Sequence, residues 1–472
     1  MTTGAPHASF PREIGTVASS APTTSPRAPQ SSAILRRDPP GTPNRTGPGG
    51  GGTATLAGVS RRQLLALAFG ALAVRTVYNA AFLRHYVPIS DAHHYHTLAS
   101  NIAAGNGLAA PFPFEDVVPQ ATAFRPPLYP MVLGGAYAIF GDHLFVAQVV
   151  NILLGTGVVV LVALVAARIA GPAAGLAAGM IAAVYPPLLA NDGPPLSEPL
   201  SLVLLLGAIL LLLRPAPIAA GVATGALVLT RPSAPIVAAG LGIWVLRRFG
   251  WRTALAYALP VLVLVTPWIA RNWIQLGSPV YVTSDGFNLA ALYSPEALDA
   301  GEYIDSVFDP RMAAVRAESF ALEDEILLDE TLRRRALSSL REHPDAPFRR
   351  LVGSAWNLFE PRPPSGDGPE LLDGRNFSVR YAGMPMMWLV SLFGLVGLWS
   401  VRREPDAVPV LLVGVLLTAI ILPTTLVPPR LRAPLDVCCC IGAGIAAVGL
   451  ARRSGRAAAP DPPPPRAVVT GG

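Results

Sequence analysis

The stretch ISDAHHYHTLASNIAAGNG, residues 89–107, decides how this chain is read. It sets Asp91 and three histidines, His93, His94 and His96, directly after the first apolar run of membrane-crossing length. Further on comes Ala123-Phe124-Arg125-Pro126-Pro127-Leu128-Tyr129-Pro130, and then long apolar runs resume. A polar loop rich in acid, imidazole and Arg, held between hydrophobic spans, costs free energy unless it acts at the membrane surface. A site is therefore expected in or beside this loop.

The surrounding composition agrees. The chain has 472 residues, 51% hydrophobic and 14% charged. Apolar runs near ~20 residues recur, each enough to cross a ~30 Å hydrocarbon core as a helix. Residues 1–58 are rich in Pro, Ser, Thr, Gly and Arg and lack the apolar core of a signal peptide. They read as a disordered cytoplasmic tail. Residues 452–472, with Asp461-Pro462-Pro463-Pro464-Pro465-Arg466, read the same way. Cys438, Cys439 and Cys440 are consecutive inside an apolar run, so they form neither a disulfide framework nor a metal site. The chain has no lysine, which excludes a P-loop lysine and a Schiff base. The net charge of +6 comes mostly from Arg flanking the spans and does not indicate nucleic-acid binding.

Arg61 and Arg62 precede the first span, 63–85, and the positive-inside rule puts them in the cytoplasm. The loop carrying Asp91 is then outside. The short apolar piece 127–141 reads as a helix lying at the outer interface. Further spans are expected at 143–168, 172–189, 196–213, 216–230, 233–247, 252–270, 383–400, 406–423 and 434–451, about ten in all. With this count Arg247-Arg248, Arg402-Arg403 and Arg452-Arg453 all fall inside. The segment 271–380 is a large outer loop, with a helical stretch at 310–342 that His343-Pro344 stops. Phe348, Leu351, Val352, Trp356 and Phe359, with Arg349 and Arg350 between them, read as an interfacial amphipathic helix.

This layout resembles the GT-C superfamily of polyprenyl-phosphate-sugar-dependent glycosyltransferases. More narrowly it resembles the bacterial relatives of protein O-mannosyltransferases and of the lipid A aminoarabinose transferase. The matching pieces are Asp91 through Gly107, Arg125-Pro126-Pro127-Leu128-Tyr129-Pro130, and Tyr185-Pro186-Pro187 followed by Ser197-Glu198. Thr230-Arg231-Pro232, Pro267-Trp268-Ile269-Ala270-Arg271-Asn272 and Arg430-Leu431-Arg432-Ala433-Pro434 complete the set. Two departures stand out: Ala92 follows Asp91 where relatives often carry a second acid, and Glu198 stands where Asp is frequent. The resemblance implies an all-α integral membrane protein with outer-face juxtamembrane helices. It also implies a seven-span module, 59–270, whose first outer loop is 87–142, followed by the outer loop 271–380 and a three-span module, 381–451.

Asp91 is the expected general base, because the acceptor hydroxyl must lose its proton as it attacks the anomeric carbon. Its structural alternative is a cap for a helix over 92–104. Glu198, at an outer span end, either orients acceptor or donor sugar, binds a divalent ion, or simply favours the helix dipole; Asp192 is a weaker rival. Arg231, Arg271, Arg430 and Arg432 lie at outer span ends, where a phosphate leaving group calls for bidentate donors and plain snorkelling is the alternative. Arg125 and Tyr129 are candidates for binding or for structure, and Asn288 for lining the cavity. His94 and His96 stand two apart, so they point to different sides of a helix and make a poor metal pair.

The expected protein is thus a multi-pass plasma-membrane glycosyltransferase with both termini cytoplasmic. It moves a monosaccharide such as mannose, with inversion, from a polyprenyl-phosphate donor to a protein, lipid or glycan hydroxyl. No cofactor is required, and a divalent cation is compatible with the site. The alternatives are a secondary transporter, which would show paired repeats and mid-span ionisable groups, and a non-catalytic membrane scaffold.

Overall fold

The computed structural model describes residues 55–111, 119–214, 216–301, 303–304, 309–313, 315, 324–358, 374–424 and 429–457. The expected tail 1–58 lies almost wholly outside these residues, as does 458–472. The described chain is helical, with two short two-stranded pairings, β1 (Thr55–Leu56) with β2 (Val59–Ser60) and β3 (Ala109–Ala110) with β4 (Gln120–Ala121).

Helix α1 spans Arg61–Phe82 and starts on a capping box. The Gln63 amide N–H donates to Ser60 Oγ at 3.3 Å, and the Ser60 N–H donates to Gln63 Oε1 at 3.0 Å. Two of the N–H groups that a helix start leaves orphaned are satisfied in this way. The helices that follow are α4 (Leu144–Ala170), α5 (Pro172–Val184), α7 (Glu198–Leu212), α8 (Pro217–Val228), α9 (Ala234–Phe249) and α10 (Trp251–Leu276). Gly171 (φ 92°) and Gly250 (φ 85°) make single-residue turns between neighbouring helices, in a region that side-chain-bearing residues avoid. After the long segment that follows α10 come α15 (Phe377–Ser400), α16 (Val408–Thr424) and α17 (Ala433–Ala457).

Each expected span falls on one of these helices except 172–189, which Tyr185 divides into α5 and the four-residue α6 (Pro186–Leu189). Among the described residues, five stretches are long and apolar enough to cross a membrane: Arg61–Phe82, Leu144–Ala170, Trp251–Leu276, Phe377–Ser400 and Arg430–Ser454. Leu128–Phe140, Pro172–Val184, Glu198–Leu212, Pro217–Val228 and Pro405–Ile420 are shorter apolar helices. α17 runs to Ala457, past the span end expected at 451. Arg452 and Arg453 in its last turns favour the negative end of the helix dipole, which explains the extension.

In lipid, helices gain little from burying apolar surface against one another, so close packing and polar contacts hold them together. α15 and α17 show this directly. A Cβ added at Gly397 would lie 1.8 Å from the Gly442 carbonyl oxygen, so the two backbones touch. The buried Cys439 serves the same seam against Gly394, whereas Cys438 faces Val410 and Gly414 of α16. This packing fixes the short 3-10 segment Pro429–Arg432 that leads into α17.

Two further layers sit at the ends of the helices that the topology reading puts outside. α2 (Ser90–Ala103) packs on α3 (Leu128–Phe140), burying Ala92, Tyr95 and Ala99 against Tyr129, Leu133 and Tyr137. The outer segment contributes α11 (Asp285–Tyr293), α12 (Pro295–Ala300), α13 (Glu325–Glu342) and α14 (Ala346–Leu358). Its core joins Phe287, Ala290, Leu328 and Leu332 to Phe124 of the first outer loop. The helical stretch expected at 310–342 is α13 preceded by a 3-10 turn at Pro310–Met312, and His343 ends it as expected. The amphipathic helix expected over 348–359 is α14; Phe359 lies outside the described residues.

Candidate active site

The two loops that frame the site are held by backbone and buried polar contacts. Thr283 N–H donates to the Ala123 carbonyl at 3.2 Å. The Ala123 N–H donates to Glu325 Oε1 at 3.0 Å, and the Thr283 hydroxyl donates to the same oxygen. Glu325 on α13 therefore clamps the strip Thr122–Arg125 to the outer segment. Burial pushes its carboxyl up, against the hydrogen bonds it accepts. Arg271 completes the clamp. Its guanidinium donates to the carbonyls of Thr122 (2.8 Å) and Leu108 (2.9 Å) and lies over the Trp268 ring.

Asp91 sits in the first turn of α2, yet no side chain caps that helix. Its carboxylate is instead held from two directions. Arg125 donates to Oδ1 and Arg430 donates to Oδ2. The preceding residue, Ser90, has φ 51°, a left-handed conformation that costs a non-glycine residue free energy. Burial alone would raise the Asp91 carboxyl, but the two guanidinium groups more than reverse this and hold it well below the usual carboxylate range.

A second ion pair lies alongside. Arg231 donates to Glu198 Oε1 at 2.7 Å, and Glu198 is 3% exposed. The other Glu198 oxygen, Oε2, is buried and has no hydrogen-bond partner among the described residues. Arg231 also reaches Ser197 Oγ at 3.3 Å, and the Tyr95 hydroxyl donates to Ser197 Oγ at 3.2 Å. Tyr95 stands one turn after Asp91 on α2, and Arg125 lies over its ring at 5.5 Å. The two pairs are thus linked: Asp91, Arg125, Tyr95, Ser197, Arg231 and Glu198 form one chain of contacts. Arg430 lies within electrostatic reach of Glu198 as well as Asp91. Two carboxylates and three guanidinium groups converge here from α2, the 123–127 strip, the α7 start, the turn before α9 and the segment before α17.

The remaining candidates are placed differently. Tyr129 is fully buried, with its hydroxyl donating to Asn151 Oδ1 at 3.2 Å and its ring edge-on to Tyr95, so it packs behind the site. Arg432 is 1% exposed. Its guanidinium donates to Asp436 (2.8 Å), to Ser391 Oγ (2.7 Å) and to the Leu358 carbonyl (2.5 Å), so it faces the interior. Asn288 is exposed on α11. Asp192 pairs with Arg75 of α1 at 2.8 Å, both buried. Arg75, well inside the apolar stretch of the first span, was the sequence signal for that pair.

The three histidines have three separate settings. His96 Nδ1 meets the Tyr137 hydroxyl at 2.8 Å, His93 faces Thr97, and His94 packs edge-on to Phe124. Among the described residues, no three His, Cys, Asp or Glu side chains gather as a metal-ligand set.

No family model matches this chain, and no curated protein matches it at a significant level. Solved structures do. The Archaeoglobus fulgidus oligosaccharyltransferase in the apo form is similar with a TM-score of 0.50 and 16% identity, covering 84% of this chain and 52% of that one. The chain therefore spans about half the length of that protein. The archaeal oligosaccharyltransferase AglB from the same organism, in complex with an inhibitory peptide and a dolichol-phosphate, is similar with a TM-score of 0.45 and 14% identity, over 85% of this chain and 52% of that one. ArnT from Cupriavidus metallidurans bound to undecaprenyl phosphate gives a TM-score of 0.41 and 14% identity, over 84% of this chain and 79% of that one. The fold is the one shared with the Archaeoglobus fulgidus oligosaccharyltransferase, an all-α arrangement that includes helices long and apolar enough to cross a membrane.

Proposed function

We propose that this chain is a membrane glycosyltransferase of GT-C type. It takes a monosaccharide from a polyprenyl-phosphate donor and places it on an acceptor hydroxyl at the outer face of the membrane. The observation that carries the reading is the carboxylate of Asp91 held between Arg125 and Arg430 in an outer-loop site. The fold neighbour at a TM-score of 0.50 is named an oligosaccharyltransferase, and that activity fits the same arrangement of groups.

The chemistry needs few parts. The acceptor oxygen attacks the anomeric carbon from the face opposite the phosphate. The C–O bond to phosphate breaks, and the phosphate leaves with the electron pair. The acceptor's proton passes to Asp91. A single displacement inverts the anomeric configuration. Because phosphate is a weak base, no general acid is required. Arg125, Arg430 and Arg231 supply fixed positive charge for the leaving phosphate. Glu198, held by Arg231, has one buried oxygen left to accept a sugar hydroxyl. With no lysine on the chain, guanidinium does all of this work.

The resting arrangement also sets a condition. A carboxylate held by two arginines is a poor base, because its affinity for a proton is low. A donor phosphate competes for the same guanidinium groups. As it draws Arg125 or Arg430 away, Asp91 gains basicity where the acceptor proton must go. Donor binding and base activation are then one event, so Asp91 becomes a competent base only when a donor is bound.

The test is reconstitution of the full chain in phosphatidylcholine vesicles with undecaprenyl-phosphate-linked radiolabelled mannose and a membrane extract as acceptor. The reading expects label to move to acceptor and undecaprenyl phosphate to be released. If no polyprenyl-phosphate monosaccharide in a panel of hexose and pentose donors is consumed, the reading fails.

A further inference from the structure

The turn that delivers Glu198 to the site, residues 191–197, is buried along its whole length. A buried turn hides its backbone polar groups from water, so each needs a partner within the protein. Pro194 and Pro195 bring carbonyls to this turn and no N–H. The Leu196 N–H answers the Pro194 carbonyl at 2.8 Å, and further donors come from α4. Asn151 of α4 is 0% exposed, and its Nδ2 donates to the Pro194 carbonyl at 2.6 Å and to the Leu196 carbonyl at 3.4 Å. Carbonyls only accept, so the amide nitrogen must face them, and Oδ1 is left to accept from the Tyr129 hydroxyl at 3.2 Å. Gly155, one turn further along the same face of α4, leaves room for the turn as well. A Cβ there would lie 2.2 Å from Asp192 Oδ1.

We infer that Asn151 is a positioning residue for Glu198, a role that rests on the activity proposed above. It acts through the turn and not on the substrate. Its amide joins two parts of the site from behind. On one side Tyr129 stands edge-on to Tyr95 at 5.1 Å, and Tyr95 lies one turn after Asp91 on α2. On the other side Leu196 directly precedes Ser197 and Glu198. The Tyr95 hydroxyl also donates to Ser197 Oγ, so the helix that carries Asp91 and the start of α7 are tied twice, at Ser197 and through Asn151. An amide suits this place because one group both accepts and donates. Leucine is of similar size and does neither, so it would leave the buried Tyr129 hydroxyl and Leu196 carbonyl without this partner. The turn would then relax from α4 and carry the Glu198 carboxylate with it. Glu198 holds the sugar in the ground state and the transition state alike, so the loss falls on donor binding and spares the chemical step.

The experiment is a double-mutant cycle on the full chain in phosphatidylcholine vesicles, with the undecaprenyl-phosphate-linked sugar that the wild type consumes as donor. Asn151→Leu should raise the donor KM about tenfold and leave kcat within about threefold. In the Glu198→Gln background the same change should raise KM by less than about twofold, because the carboxylate it displaces is already gone. A general loss of packing would instead lower the active fraction alike in both backgrounds and leave KM unchanged. Asn151→Ala, which adds no bulk, carries the same test if leucine lowers the yield. Hydrogen exchange, read by mass spectrometry on the peptide covering 190–200, should be faster in both variants by about fivefold, with the peptide covering 325–342 unaltered. Unchanged exchange in the turn, an unchanged donor KM, or an equal KM shift in both Glu198 backgrounds would overturn the positioning role. Exchange needs no sugar transfer, so the two failures are distinct. A wild type that consumes no donor sinks the activity, whereas a wild type that transfers sugar and Asn151 variants that match it sink the role of Asn151.

Discussion

Arg430 reaches Asp91 across 339 positions of sequence and takes one of its carboxylate oxygens, while Arg125 takes the other. The segment before α17 thereby closes a site begun in the loop that carries α2. If these guanidinium groups pass to the donor phosphate during the reaction, each contributes a charge-assisted hydrogen bond there. Arg430→Gln and Arg125→Gln should each raise the donor KM by roughly tenfold to a hundredfold, the equivalent of ~1.5–3 kcal/mol. The double variant should lose less than the sum, because the two share a partner. Transfer measured against donor concentration checks this; an unchanged KM in both single variants would move the phosphate elsewhere.

His94 gives a pH signature. Burial pushes its imidazole down to about 3, and the charge of Arg125 pushes the same way. The native state therefore stays neutral while the unfolded chain takes up a proton below the ordinary value of 6.5. The stability from this group is fully present above about pH 6.5 and is lost as pH falls from there toward 3. His94→Gln removes the titration and should flatten the fall in thermal midpoint between pH 6.5 and 4. An unaltered slope would mean that His94 is hydrated and titrates normally.

The clamp at Glu325 is separable from the chemistry. Glu325→Ala leaves the buried Ala123 N–H without its acceptor, a cost of ~1–3 kcal/mol. It also loosens Phe124 and Arg125, so transfer should fall along with the thermal midpoint. Glu325→Gln keeps the acceptor and should retain both to within a few-fold. If alanine and glutamine behave alike, the hydrogen bond from Ala123 does not position the strip.

Arg432 is predicted to act on stability. Arg432→Gln strands the Asp436 carboxylate in the interior, and breaking a buried pair in this way costs ~3–5 kcal/mol. Arg432→Gln should therefore lower the yield and melting point of the detergent-solubilised protein, and adding Asp436→Asn should recover much of the loss. A well-folded Arg432→Gln protein with a raised donor KM would return Arg432 to the substrate.

Much of this was legible in the sequence because membrane physics writes it in long runs. The long apolar segments, the short helix 128–140 and the helix after Ile89 are periodic and strongly biased, and their bounds moved by only a few residues. What the sequence concealed is pairing. Four arginines at outer span ends look alike in a string, yet Arg430 and Arg231 face carboxylates of the site, Arg271 holds backbone carbonyls, and Arg432 points inward two residues from Arg430. The direction of a side chain on a short 3-10 segment depends on the packing of α15 against α17, and no local pattern reports that. The same holds for Tyr95, which one turn of helix places after Asp91 but whose bond to Ser197 is purely tertiary.

The most direct measurement is sugar transfer by Asp91→Asn in membranes where the variant is expressed at wild-type level. Asparagine keeps the shape and can still meet the arginines through its amide oxygen, but it cannot take the acceptor's proton. The account predicts a rate lower by ~10²–10⁴ with donor binding largely retained. Near-normal transfer by Asp91→Asn would contradict it and would place the base elsewhere, with Glu198 next in line.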